Sequence, residues 1–458
     1  MNLTGNEMIT RERWLVVDPS LRLLRSHPSF RWYWVGQSIS SAGSQVTALA
    51  LPLVTALALH GSPRDVGFVA TAAMAPYLLF SLLAGHYLEA RPKRAVMIPA
   101  DLAQALLLGA IPVAWWAGSL SVPLLAGIAF LCGTAALCFG VVGFSYVPDL
   151  VATDDLPAAN RAIQGSRTVT EVAGPGLAGL LVGALGAPVA ILVDAVSYLA
   201  SAVGVAAAHP RHRPGPDEST PGSTPESTPE VAPQATPDAG TDDHPRPSVL
   251  AGLRVLFTNP HLRALTIHAA LYNLASEIFT LNLVLWAVQE QHLPTATYGL
   301  AMGAGGIGGL IGTLTALRLS ERLGLGRAFI ASLALSCGIP VLAVLVPAHG
   351  LALGAILAAV MLVSGIGLGN ANVYSLTLRQ AAIPRDQLTR SAGAYTQVMY
   401  GSIPLGGALA GVLGESLGTR RATAAGAVLL ACSILPMLTR HIRTLTSATH
   451  PAATHPAA

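Results

Sequence analysis

Twelve long apolar runs follow one another along this chain of 458 residues, and only 11% of its residues are charged. A soluble domain carries about 25% charged residues. A chain so poor in charge cannot cover its own surface with polar groups, so lipid must be the solvent for much of it. A run of about 20 apolar residues crosses the hydrocarbon core as a helix, because in lipid each backbone polar group must be bonded within its own segment. The first six spans are expected near Trp32–Leu59, Val66–Leu88, Ala95–Ala117, Val122–Ser145, Thr168–Leu185 and Pro188–Ala208. After a gap, six more are expected near Leu262–Val288, Thr297–Leu319, Arg327–Val346, Leu351–Ser375, Ser391–Leu417 and Thr423–Thr439.

The basic residues orient these spans. With the N-terminus inside, the outer loops hold only Arg64, Arg420 and Arg421 of the 26 Lys and Arg residues. Such a bias is the positive-inside pattern, and it predicts that both termini are cytoplasmic. Residues 1–31 hold five Arg and no long apolar core, so the first span is expected to be retained rather than cleaved.

The two sets of six spans repeat at one constant offset: Pro28 matches Pro260, Arg31 matches Arg263, Gly67 matches Gly299 and Leu156 matches Leu388. The predicted fold is therefore an all-α membrane protein of twelve transmembrane helices in two pseudo-symmetric six-helix bundles. Residues 1–31 form a cytoplasmic segment, 32–208 the first bundle, 249–440 the second with a short surface helix before it, and 441–458 a cytoplasmic tail. Residues 209–248 carry Ser-Thr-Pro three times, at Ser219, Ser223 and Ser227, and few apolar residues. Such a stretch cannot bury a core and reads as a disordered cytoplasmic linker. From Val249 to Phe257, Leu250, Leu253 and Leu256 oppose Arg254, a pattern suited to the membrane surface.

Several function classes find no support. No basic run carries interleaved aromatics, so nucleic-acid binding is not indicated. There is no phosphate-binding G-x-x-x-x-G-K-[ST] and no nucleophile–base set at one membrane depth, which argues against an enzyme or an ATP-driven pump. Cys132, Cys138, Cys337 and Cys432 lie inside apolar runs without ligand spacing, and His86 and His268 have no metal partners at such spacing. No metal and no cofactor is expected.

Four stretches carry a family resemblance. The first span contains Gly36-Gln37-Ser38 and Ala50-Leu51-Pro52-Leu53. The loop after span two runs Gly85-His86-Tyr87-Leu88-Glu89-Ala90-Arg91-Pro92-Lys93-Arg94. Span five holds Gly174-Pro175-Gly176-Leu177-Ala178-Gly179, and Leu378-Arg379-Gln380 through Pro384 precedes span eleven. Together these resemble the major facilitator superfamily, and most nearly its bacterial drug and siderophore exporter branch of secretion-effector or macrolide-efflux-like permeases. The Gly85 loop is similar to the signature G-x-x-x-D-R-x-x-R-R, with Glu89 and Ala90 in place of its Asp-Arg. Span five is similar to the antiporter motif, with Thr170 for its leading Gly. Ser44 stands where the family usually has an Asp in span one.

The resemblance implies a secondary active transporter in the bacterial plasma membrane. It would work by alternating access as a monomer, with protons as the coupling ion and a small-molecule substrate. Efflux of small amphipathic compounds is the leading expectation. An importer of a small metabolite remains open, since Gln37, Gln45, Asn273, Asn282, Asn370 and Asn372 lie in spans, and a non-transporting membrane sensor is a further alternative. Gating and conformational roles are expected for Gly85, Glu89, Arg91 and Arg94, for Gly174, Pro175 and Gly179 of span five, and for Arg379 and Pro404. Gly174-Pro175 is expected to break the helix ladder of span five.

A charge near the bilayer centre costs at least about 2.5–3.5 kcal/mol on insertion scales, so acids inside spans mark candidate sites. Glu277 lies closest to the middle of its span, and its repeat mate is Gln45. Glu277 is the candidate proton carrier or cation-binding carboxylate, with a structural bond to Asn273 or to another helix as the competing reading. Asp101 and Asp194 read as groups joining helices, and Glu171 as the ion-pair partner of Arg167 four residues earlier.

Overall fold

The computed structural model describes residues 19–89, 91–152, 155–209, 249–383 and 388–445. The N-terminal segment before Pro19, the linker beyond His209 and the tail beyond Leu445 lie outside the described residues, as do the surroundings of Gly85 and the side chain of Glu89. Among the described residues all regular elements are helical. The first half consists of α1 (Pro28–Leu53), α2 (Pro63–Glu89), α3 (Lys93–Trp116), α4 (Val122–Leu150), α5 (Leu156–Leu185) and α6 (Ala187–Ala207). The second consists of α7 (Pro260–Val284), α8 (Thr295–Leu323), α9 (Leu325–Leu333), α10 (Gly350–Ala382), α11 (Leu388–Leu417) and α12 (Thr419–Cys432), followed by the short α13 (Arg440–Arg443).

Among the described residues, ten helical stretches are long and apolar enough to cross a membrane. The other two, α2 with 27 residues and α11 with 30, match them in length and pack against each other. Leu106, Leu314 and Leu317 are each at least 69% exposed, an arrangement that suits lipid as the surrounding medium.

Local chemistry sets the helix ends. Proline at the first turn, where no N–H partner is needed, opens α1, α4, α6 and α7. Asn259 also caps α7, its Oδ1 accepting from the N–H of His261 at 2.9 Å. Three sequence expectations are corrected. α5 begins at Leu156 rather than Thr168, because a helix continues past the hydrocarbon wherever its polar residues reach water. α10 likewise runs to Ala382. The third concerns Gly174-Pro175: the ladder loses the bond that Pro175 cannot donate, yet α5 continues as a helix through it, and α11 through Pro404. A single lost bond is tolerated in a helix clamped by neighbours. The ninth span does deform, passing through a π turn at Ala334–Gly338 and a 3-10 turn at Ile339–Val341. Pro340 cannot donate to the carbonyl of Ser336, and the Ser364 hydroxyl of α10 donates to it instead at 2.8 Å.

The repeat is written into the backbone. α1 and α7 both end in π turns, Val54–Ala58 and Leu285–Glu290. Each turn leads to a histidine in the left-handed region, His60 at φ 52° and His292 at φ 51°. Gly186 and Gly418, which join the last two helices of each half, have φ of 80° and 81°, where a side chain would be strained. His60 stands to His292, and Gly186 to Gly418, at the same offset as Pro28 to Pro260.

The halves meet along two seams, α2 with α11 and α5 with α8. A Cβ added to Gly67 would lie 2.6 Å from the Gly407 oxygen and from the Gly411 Cα. A Cβ added to Gly299 would lie 2.5 Å from the Pro175 oxygen and 2.6 Å from the Gly179 Cα. The repeat converts Gly67 into Gly299 and Gly179 into Gly411, so the seams are one contact made twice. The buried apolar cluster that spans both halves lies toward the ends of α1 and α7 that carry the π turns, hereafter the far end; this single core includes Leu53, Val182, Leu285 and Tyr298. At the opposite end, rich in Arg and hereafter the basic end, each half has its own core among the described residues, one around Tyr146 and one around Tyr374. The Gln289 Nε2 of the second π turn donates to the Ala56 oxygen of the first at 3.0 Å and ties the far end together.

Overpacking a tight contact costs about 1–3 kcal/mol. Gly67→Val and Gly299→Val are each expected to lower the melting temperature of the purified protein in nanodiscs. Gly109→Val, with no atom within 4 Å of its added Cβ, should melt like the parent.

Candidate functional site

Two neighbouring chambers that share part of their walls lie inside the molecule. The deeper one has a volume of about 540 Å³ and takes its walls from both halves. Most of its surface is apolar, from residues such as Leu49, Val66, Leu108, Ile128, Leu281 and Val284. Asp194 of α6 and Glu277 of α7 are its two carboxylates. A second chamber of about 430 Å³ belongs to the first half and is more polar than the first, lined by Gln37, Gln45, Asp101, Ser166, Arg167 and Glu171 among others. Ser44, Tyr77, Gln104 and Tyr198 face both spaces.

The three membrane-embedded acids differ in their partners. Asp194 is almost fully buried and saturated with donors: the Thr47 hydroxyl of α1 donates to its Oδ2 at 2.5 Å, and the Ser197 hydroxyl to its Oδ1 at 2.9 Å. Gly43 makes room for this cluster, since a Cβ there would lie 2.6 Å from Asp194 Oδ1. Beside it, the Ser44 hydroxyl lies 3.1 Å from the Tyr198 hydroxyl. Asp101, equally buried, accepts from the Ser201 hydroxyl at 2.6 Å, and Ser201 accepts from Gln37 Nε2 at 2.8 Å, so α1, α6 and α3 are linked in series. Glu277 is half-buried and has no hydrogen-bond or ion-pair partner among the described residues. Asn273 does not serve it, because its amide donates to the Ala269 oxygen of its own helix at 2.8 Å.

Repeat symmetry shows how the halves have diverged here. Gly174 packs against Gln45, and Gly406 packs against Glu277, two contacts related by the repeat. Asp194 meets Thr47 in the first half. At the matching place in the second, Gly426 packs directly against Phe279. The polar network is therefore confined to the first half, and Glu277 stands alone in the second.

The remaining candidates are placed as follows. Arg167 Nε donates to Glu171 Oε1 at 3.0 Å, an exposed pair on the wall of the polar chamber. Arg91 is exposed at the loop after α2. Lys93 Nζ lies 2.6 Å from Asp149 Oδ2, and Arg94 donates to the Ala206 oxygen, tying α3 to α4 and α6. The Arg379 guanidinium stacks 4.2 Å from the centre of the Tyr395 ring. The Pro404 oxygen accepts from the Thr71 hydroxyl at 3.2 Å across the α2–α11 seam. Asn282 bonds the Ala410 oxygen at 3.1 Å between α7 and α11, Asn370 bonds within α10, and neither lines a chamber. His268 bonds the Ser433 oxygen at 2.7 Å and packs α7 on α12. Cys432 is exposed, whereas Cys337 is buried.

Sequence reasoning missed the donors Thr47 and Ser201, and the Tyr77–Tyr400 stack that bridges the halves with ring centres 6.0 Å apart. Small hydroxyls in an apolar span carry no periodic signal. The tyrosines offered one, as polar-tipped rings in the middle of otherwise apolar spans.

A family model described as Major Facilitator Superfamily matches residues 33–408. The chain belongs to the Major Facilitator Superfamily. It is thus a multi-pass membrane transporter of that type, with the family's all-α fold. It is 28% identical over 404 residues to an uncharacterized MFS-type transporter, y4rN, of Sinorhizobium fredii, covering 86% of this chain and 90% of the relative. It is 26% identical over 411 residues to the multidrug efflux pump Tap of Mycolicibacterium fortuitum, covering 87% and 90%. Among solved superfamily structures, a bacterial homologue of the iron transporter ferroportin in an inward-facing state superposes with a TM-score of 0.69 at 17% identity, covering 90% of this chain and 98% of that one. The nucleoside transporter NupG gives 0.64 at 13% identity, covering 90% and 100%.

A buried acceptor stripped of its donor costs about 1–3 kcal/mol. Thr47→Val is expected to lower the melting temperature in nanodiscs measurably, while Glu277→Gln, which breaks no bond, should leave it near that of the parent. Equal losses in the two variants would contradict the difference drawn between the two acids.

Proposed function

We propose that this transporter exports small amphipathic compounds from a bacterial cytoplasm in exchange for protons. The basic end faces the cytoplasm, with both termini and the linker on that side, and the protein acts as a monomer. Residues 32–208 and 249–440 rock as two bodies about the glycine seams. The observation that carries the reading is Glu277: a carboxylate without a partner on the wall of a chamber that is otherwise mostly apolar.

An apolar chamber of this size favours a compound with a large apolar body. A carboxylate free of protein donors can take up either a proton or the cationic centre of a substrate. Exchange follows when the two compete. Substrate entering from the basic end, through the polar chamber, settles against ionised Glu277. Once the chamber opens at the far end, a proton replaces the substrate, and the neutral form favours return. Such a switch works only through differential affinity for the two orientations. Asp194 and Asp101, each bonded to a hydroxyl of a neighbouring helix, hold α1, α3 and α6 together and do not cycle. The likeness to a named multidrug efflux pump supports export over uptake. The single core at the far end and the divided cores at the basic end fit a resting form open to the cytoplasm.

The first test is uphill transport in proteoliposomes. Glu277→Gln at matched membrane levels is expected to abolish export driven by a pH gradient, while exchange without net proton movement persists. Uphill export equal to the parent would remove Glu277 from the mechanism. In cells, the protein should lower accumulation of members of a dye and drug panel, and a protonophore should erase the difference. Orientation is checked by single cysteines in the 209–248 segment on a cysteine-free background, which a membrane-impermeant reagent should leave unlabelled in intact cells.

A further inference from the structure

At the basic end of the second half, away from both chambers, α13 docks onto the start of α9. The docking depends on Gly326: its N–H donates to the Leu445 oxygen at 2.8 Å, and a Cβ there would lie 1.9 Å from the Ile442 oxygen. Ile442 is completely buried beneath the contact. The result is a cavity of about 680 Å³ with two kinds of wall. Arg327, Arg440, Arg443 and Thr444 surround its mouth, and Ile330, Ala331 and Ala334 continue from Arg327 along α9 and the π turn after it. The three arginines and both alanines are exposed. No carboxylate lines the cavity, and none of the three arginines takes part in an ion pair among the described residues.

Three guanidinium groups gathered at one mouth repel one another unless an anion joins them. Their planar forks suit phosphate oxygens. The second wall decides what kind of phosphate. It is apolar, faces the lipid, and runs from the level of the arginines toward the middle of the span, which is the course of an acyl chain hanging from a headgroup. We propose that this cavity binds an anionic phospholipid, with its phosphodiester held by Arg327, Arg440 and Arg443 and one acyl chain along Ile330, Ala331 and Ala334. The site depends neither on the direction of transport nor on Glu277. Its ligand sits between the ninth span and α13, where it would fasten α13 to the bundle.

The test uses the full chain in nanodiscs of phosphatidylcholine with one quarter phosphatidylglycerol, released and weighed by native mass spectrometry. The parent is expected to retain phosphatidylglycerol in preference to the more abundant phosphatidylcholine. Ala331→Trp fills the apolar wall and keeps every charge, and Arg440→Gln/Arg443→Gln removes two of the three cations. Both should lower the retained phosphatidylglycerol several-fold. Arg420→Gln/Arg421→Gln, an equal charge loss at the far end, should retain it like the parent. Excess glycerol phosphate should not displace the lipid. Displacement by that soluble ester would show a phosphate site indifferent to lipid and overturn the proposal. So would a parent without preference for phosphatidylglycerol, or undiminished retention by Ala331→Trp.

Discussion

The molecule hinges on the close approach of backbone to backbone at its two seams. Lipid tails are as apolar as leucine, so no hydrophobic force draws one bundle against the other inside a bilayer. What remains is packing, and Gly67 against Gly411 and Gly299 against Gly179 bring helices together with no side chain between them. A smooth contact of this kind lets two bodies tilt without unlocking interdigitated side chains. Because the seams are copies of each other, they lie on opposite sides of the interior and leave the chambers between them. Larger residues at these positions would force the helices apart and open the chamber walls to lipid.

Inside that frame the physical burden is uneven. The first half holds two buried carboxylates and answers each with hydroxyl donors from a neighbouring helix. The second half has glycine where the first has Asp194, and its own carboxylate, Glu277, has been left unanswered. An embedded acid with donors behaves as a cross-link. One without donors is a group whose charge has to be compensated from outside the protein, and the compensating species can change during a cycle. Descent from a repeated unit therefore did not distribute chemistry equally: the bonded carboxylates lie in one copy and the unpartnered one in the other.

Much of this was legible in the sequence, for identifiable reasons. Apolar run length is dictated by bilayer thickness, so the spans could be placed, and the constant offset between the halves surfaced again as paired π turns, paired left-handed histidines and paired seams. Acids in apolar runs are conspicuous, so Asp101, Asp194 and Glu277 could be singled out. Their partners could not. Thr47, Ser197 and Ser201 look like ordinary small residues of a packed span until the neighbouring helix is in place. The spacing of Asn273 and Glu277 suggests a bond, yet the Asn273 amide turns back to its own helix. The start of α5 escaped because a helix can outrun the membrane that sets its hydrophobic length.

The turns have a bearing on how such a chain is made. His60, Gly118 and Gly186 shape the far-end connections of the first half from residues within that half, and His292, Gly350 and Gly418 do the same for the second. Each bundle thus has the instructions for its own hairpins, and the first can be completed while the second is still on the ribosome. The glycine seams, the Gln289–Ala56 bond, the Tyr77–Tyr400 stack and the shared far-end core all require both bundles at once. Synthesis would then end in the lateral meeting of two finished bodies already in the membrane.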